Sequence, residues 1–225
     1  MNTHTRTGTG IALLVAASLA LTACGGDSDS DSNADSKDKI KGAEQSSQSA
    51  TPNNSLSPSP SDDGIDRPDI KLPEDVKNVF EDSKTGDAKK DAVLADSAHG
   101  INAIDEAVTS GKTDRPALRF YLKTDGLMSA LQYIQGYYEA GTTFTGTTRY
   151  YDRKVTFLEN GSAVVNYCSD ESKANSKDRK TQKVKEHTPG PLDYGYYTSR
   201  LTKNASGVWQ TTKVISGDGK EKCQA

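Results

Sequence analysis

All ten Tyr, all four Phe and the single Trp of this 225-residue chain lie at or after Phe80. A packed core needs large apolar side chains, so folding is restricted to the C-terminal two thirds. From Gly25 to Ile70 there are ten acidic residues, four basic ones and no aromatic residue. Ser, Asp, Asn and Pro dominate, as in "SLSPSPSDDG". Such a composition cannot bury enough apolar surface to offset its conformational entropy. The expectation is an acidic, disordered tether. As a random coil its 46 residues reach roughly 35–40 Å.

From Lys71 to Ala225 the 23 basic and 21 acidic residues nearly cancel. About 150 residues suffice for one domain with its own core. A near-neutral domain offers no strong field for nucleic acid, and none is expected as a partner.

The N-terminus reads differently again. Ile11 to Leu21, "IALLVAASLAL", is an apolar run of eleven residues after a short polar start carrying Arg6. A membrane-spanning helix needs roughly twenty. A short apolar core followed by small residues is a secretory signal. The run ends Leu21-Thr22-Ala23-Cys24, which resembles the bacterial lipobox. In lipoproteins of that kind the Cys thiol takes a diacylglyceryl group, palmitate among its acyl chains, and the signal is cut just before it. The resemblance implies a signal peptide over 1–23; composition then gives a tether over 24–70 and a domain over 71–225. Two acyl chains hold a protein stably, at about 0.8 kcal/mol per buried methylene. Cys24 would then fix the chain to the extracytoplasmic face of the cell membrane.

With Cys24 lipidated, Cys168 and Cys223 remain. An even pair in an oxidising compartment is expected to form a disulfide. Their spacing matches no zinc pattern, and no metal or cofactor is expected.

Within the domain, "DAVLADSAHGINAIDEAVTSG" sets Leu94, Ala98, Ile101, Ile104 and Val108 on one helical stripe, with Gly111 as a stop. "RPALRFYL" reads as a short second helix with Pro116 near its start. "DGLMSALQYIQGYYEAG" is a third, striped by Leu127, Leu131, Ile134 and Tyr138, with Asp125 as N-cap and Gly141 as stop. After Gly141 the period becomes two. "YYDRKVTFLENGSAVVNYC" is a hairpin turning at Asn160-Gly161, and "YGYYTSRLTKNASGVWQTTKVIS" a second, turning at Asn204 to Gly207. Between them lies the polar, basic "SKDRKTQKVKEHTPGPLD", a long loop or exposed ribbon. Three helices followed by four or five antiparallel strands give an α+β domain.

That layout, with "TGTTRYYDRKVTFL", "YCSDESK" followed by "DRKT", and "GVWQTT" near a terminal Cys, resembles the actinobacterial secreted lipoproteins with a nuclear transport factor 2-like domain. The resemblance covers about two thirds of the chain. It implies a cone-shaped, cystatin-like fold, N-terminal helices packed on a curved antiparallel sheet, often around a pocket. Enzymes of this shape use an Asp or an Asp–His pair inside the cone.

Here the candidates are few. His4 leaves with the signal, His187 sits in the polar segment, and His99 falls opposite the apolar stripe and should face solvent. Asp105 is the one carboxylate that could look inward, and it is expected at the rim, tied to backbone or Arg. Asp170 and Glu171 follow Cys168 and should end the strand. No Ser–His–Asp set, phosphate loop or dinucleotide fingerprint is present.

The Tyr rings either fill the cone or line a cavity for an amphipathic or aromatic ligand. Asp105, Tyr138, Tyr151, Tyr167 and Tyr196 are the pocket candidates. Lys173, Lys177, Arg179, Lys180, Lys183 and Lys185, offset only by Asp178, could meet an anionic lipid surface or wall polymer. The expected function is a membrane-anchored, non-enzymatic binding or interaction module whose partner is a protein, a wall polymer or a small ligand. The alternatives are a small-molecule pocket and, last, an enzyme with Asp105 as general base.

Overall fold

The computed structural model describes residues 63–219 and 221–223. Cys24, the signal segment and the tether up to residue 62 lie outside the described residues. No helix among the described residues is long and apolar enough to cross a membrane.

Chain order is β1 (Val76–Phe80), α1 (Ala88–Ser110), α2 (Pro116–Tyr121), α3 (Thr124–Glu139), β2 (Thr142–Phe157), β3 (Ala163–Asp178), β4 (Val184–Lys185), β5 (Tyr194–Lys203) and β6 (Trp209–Asp218). The sheet runs β1-β2-β3-β5-β6, with β4 folded back on β3. The architecture is α+β, helices packed on a curved sheet. It departs from an all-antiparallel sheet at one edge, where β1 pairs with β2 in parallel. This strand precedes the helices and escapes a helix-first reading of the sequence. It is five residues long, and its inward positions are Val76, Asn78 and Phe80. A polar residue in the middle breaks the apolar alternation that marks a strand.

Helix α1 starts on Asp87, whose side chain accepts from the backbone N–H of Lys89 and Lys90, and ends at Gly111 with φ 73°. Both are ordinary helix signals. Its burial is not ordinary. One side packs Val93 and Leu94 on Val165, Leu201 and Trp209 of the sheet. The other packs Ala103, Ala107 and Val108 on α2 and α3. The helix is therefore buried on nearly all faces, and Asp96, Ser97, Asn102, Asp105 and Glu106 go inside with it.

Two of the carboxylates carried inside are paired, although Glu106 Oε2 has no partner among the described residues. Asp96 accepts from Arg67 Nη1 (2.6 Å) and from the Trp209 backbone N–H (2.8 Å). Glu106 pairs with Arg115 and accepts from the Lys71 backbone N–H (3.0 Å). Ile65 and Ile70 also pack against the helical core. The packed region thus begins before Lys71, and the tether boundary moves back accordingly. His99 is a second correction. Its ring stacks on Tyr121, with centroids 5.2 Å apart. Burial, and then the charge of Arg67, lower its pKa to about 4.

In α3 the N-cap is Lys123, and Asp125 falls in the first turn. There its charge complements the helix dipole rather than capping a backbone N–H. Helix α3 lies close on β6: a Cβ at Gly126 would stand 2.5 Å from the Thr211 carbonyl oxygen. Only glycine allows that approach. The β6 strand also receives the Lys123 backbone N–H on the same Thr211 oxygen (3.0 Å).

Candidate functional site

The site forms where α1, α3 and the inner face of the sheet diverge. Two lobes, about 360 and 400 Å³, meet at Asp105, Tyr133, Tyr150 and Glu171. The inner lobe continues over Ile101, Ile104, Leu122, Ala130, Tyr167 and Tyr197. The outer lobe runs towards Phe144, Lys185, Glu186, His187 and Asp193.

Asp105 sits at depth, 7% exposed. It is neither at the surface nor tied to backbone, contrary to the rim position expected. Asn78 of β1 donates through Nδ2 to Asp105 Oδ2 (2.6 Å) and to Asn102 Oδ1 (2.8 Å). The residue that disguised β1 is therefore the one that holds the carboxyl. Asp105 lines both lobes of the cavity, and its Oδ1 accepts no hydrogen bond among the described residues. Burial pushes the Asp105 pKa up to about 7; the Asn78 bond pulls it down, and the nearby Glu171 charge pushes it up further.

Glu171 does not end its strand. Strand β3 runs on to Asp178, and alternation from Tyr167 through Ser169 puts Glu171 on the inner face. It is exposed at the rim, yet protein crowds its carboxyl. Burial raises its pKa, a Ser169 hydrogen bond opposes this, and Asp193 and Asp170 add to it. Asp170 points the other way and pairs with Arg149 (3.6 Å).

Of the candidate tyrosines, only Tyr167 lines the cavity, beside Asp105. Tyr167 lies directly opposite Tyr197 across β3 and β5, their rings stacked with centroids 5.0 Å apart. Tyr150 lies opposite Ser169 and meets Tyr167 edge-on, at 6.1 Å. Tyr151 and Tyr196 flank Cys168 on the opposite face. There the Tyr151 hydroxyl donates to the Cys223 carbonyl, and Lys222 Nζ stands 4.4 Å from the Tyr196 ring centroid. A bulge puts Tyr151 on this face. Tyr151 and Val155 are four apart and look like one face. Register shifts between Tyr151 and Lys154, with Asp152 at φ 54°. One such interruption exchanges inward and outward residues. Tyr138 is also elsewhere: its hydroxyl donates to Ala107 O (2.8 Å) and Arg179 lies over its ring.

Cys168 and Cys223 are bonded, with Cα atoms 5.5 Å apart. The bond fastens the tail beyond β6 to the outer face of β3. The basic stretch is a ribbon formed by the end of β3 and β4, and it is not one patch. Lys177 pairs with Asp75 (2.7 Å), and Arg179 donates to the Val108 and Thr142 carbonyls. Lys173, Lys180, Lys183 and Lys185 stay exposed.

No family model and no curated protein matches the chain. Among solved structures it is similar to a protein from Catenulispora acidiphila, at 10% identity over 59% of this chain and 96% of that one, with a TM-score of 0.40. It is also similar to a ketosteroid isomerase-like protein from Erwinia carotovora atroseptica, at 17% identity over 58% and 95%, TM-score 0.39. ActVI-ORFA from Streptomyces coelicolor matches at 10% identity over 57% and 93%, TM-score 0.38. Similarities this low carry nothing about chemistry, which rests on this chain's own residues.

Proposed function

We propose that this domain is a small-molecule-binding module for an amphipathic or aromatic ligand, held by a lipidated Cys24 at the extracytoplasmic face of a cell membrane. The observation that carries the pocket is the two-lobed cavity that opens beside a buried carboxyl with one unpaired oxygen. A sealed cone would have favoured docking of a protein on its outside. Cavities of this size bury most of a small ligand, with apolar walls for affinity and a few polar groups for orientation. Here Ile101, Ile104 and Leu122 supply apolar wall and the tyrosines supply ring faces. The apolar run over Ile11 to Leu21, the lipobox resemblance at Cys24 and the acidic stretch after it support the anchoring.

Binding is preferred to catalysis because the side chains lining the inner lobe include no imidazole or amine to work with Asp105 as an acid–base pair. The free Asp105 oxygen, on a carboxyl whose pKa stands at about 7, favours the general-base reading as second.

Isothermal titration with 2-naphthylmethanol, a neutral amphipathic probe, tests the pocket. Saturable binding with a negative heat-capacity change is expected. It should weaken at least tenfold in Ser129→Trp, an exposed position at the lobe's edge where a large ring covers the cavity without disturbing the core. Absence of saturation at millimolar concentration by this alcohol and by its amine analogue alike, or unaltered binding in Ser129→Trp, contradicts the reading.

A further inference from the structure

We propose that the ligand is a small organic cation, its ammonium group held between the Asp105 and Glu171 carboxylates and its body lying on the tyrosine faces. This deepens the pocket reading above and rests on it.

The charge around the cavity is one-sided. Asp105 and Glu171 line both lobes, and no Lys, Arg or His is among the residues lining the inner one. The outer lobe adds Glu186 and Asp193 on the acidic side and Lys185 and His187 on the basic side, with His187 Nε2 3.0 Å from Asp193 Oδ1. Neither Lys185 nor His187 makes a salt bridge to the acids at the junction of the lobes. Neither of those acids has a salt-bridge partner among the described residues, although eight other carboxylates there do.

Asp105 is more than nine-tenths buried, lines both lobes, and accepts no hydrogen bond on Oδ1 among the described residues. A buried carboxylate in that state is costly unless a counter-charge reaches it. Beyond burial, the Glu171 charge raises the proton affinity of Asp105, and Asp193 and Asp170 raise that of Glu171, as like charges crowded together do. A bound cation relieves that repulsion. An anionic ligand would aggravate it, and a neutral one would leave it in place. Specificity against anions is thereby built in.

The aromatic walls point the same way. Tyr133, Tyr150, Tyr167 and Tyr197 all line the inner lobe; Tyr150 has one face on Phe80, and Tyr167 and Tyr197 have one face on each other, which leaves the second face of each to a ligand. Ring faces carry partial negative charge and attract ammonium groups by about 0.5–2 kcal/mol, most when water is excluded.

Three probes with one ring system and three charges test this by calorimetry on the purified protein at pH 8. They are 2-naphthylmethylamine as its ammonium ion, neutral 2-naphthylmethanol and anionic 2-naphthoate. The ammonium ion is expected to bind about tenfold tighter than the alcohol, and the naphthoate not measurably. The preference for the amine should fall to within about twofold in Asp105→Asn/Glu171→Gln. Should that variant fail to fold, the unaltered protein at pH 5.5 gives the same readout. Asp105 is then mostly protonated, since its pKa stands at about 7, while the amine keeps its charge. An alcohol that binds as tightly as the amine, a naphthoate that binds well, or a preference unchanged at pH 5.5 overturns the cation inference. In those cases saturable alcohol binding leaves the pocket reading intact. Failure of all three probes to bind overturns both.

Discussion

Asp105→Asn should make the protein more stable at pH 8, and the gain should vanish in acid. The folded carboxyl has its pKa raised from 3.8 to about 7, with burial as the main cause. A group whose folded pKa exceeds its unfolded one stabilises the fold when protonated. Its contribution is whole below the unfolded pKa and is lost as pH rises through the folded one. For Asp105 the window runs from about pH 4 to about pH 7, and the rise corresponds to roughly 4 kcal/mol. The asparagine side chain has nearly the same shape, can still accept from Asn78 Nδ2, and has no charge to bury. Urea denaturation of both proteins across pH 4 to 8 measures the effect. Glu171 and Asp96, also raised, and the carboxylates with lowered pKa titrate in both proteins, so the difference curve reports Asp105 together with its coupling to Glu171. A gap of several kcal/mol at pH 8 that closes towards pH 4 is expected. A variant that is less stable at pH 8 contradicts the burial of a charge at this position.

Removing the disulfide should be as costly. Cys168 and Cys223 close a loop with a sequence separation of 55. The chain-entropy argument gives about 4 kcal/mol for a loop of that length, a large part of the 5–15 kcal/mol typical of a domain. In Cys168→Ala/Cys223→Ala the melting temperature should fall by roughly 10 °C. Both sulfur-bearing residues are buried, at 2% and 1% exposure, and alanine at each leaves the tail without its fastening. The Tyr151 hydroxyl would then hold the Cys223 carbonyl site alone. The pocket lies on the opposite face of the sheet, so ligand binding below the new melting point should persist. A melting temperature within about 2 °C of the parent, or two free thiols in the parent by non-reducing peptide mapping, contradicts the account.

Much of the scaffold can be read from the sequence because its signals are local. Pro116 and Gly111 bound helices, Asn160-Gly161 and Asn204 to Gly207 make turns, and all lie where these residue types direct them. The site is less legible because its determinants are not local. A helix buried on one side shows a stripe, whereas α1 is buried on nearly all sides, so Asp105 and His99 could not be placed by helical phase. The β1 strand is hidden by Asn78, a polar residue facing inward because Asp105 needs a donor. The bulge after Tyr151 exchanges the two faces of β2, so Tyr150 lines the cavity and Tyr151 meets the tail. Glu171 was within reach. Period two continued past Cys168 would have put it beside Tyr167, had the acidic pair not looked like a strand end.

A carboxyl that organises the proposed pocket must titrate unlike a solvated aspartate and must respond to a bound cation. Carbon-13 NMR of the Asp105 carboxyl, titrated from pH 4 to 9 with and without 2-naphthylmethylamine, measures both. The expected midpoint without ligand is close to 7, and the amine should lower it by at least one pH unit, since a bound cation favours the ionised form. A midpoint near 4, unmoved by the amine, would mean that Asp105 is an ordinary solvated carboxylate and that no such pocket exists.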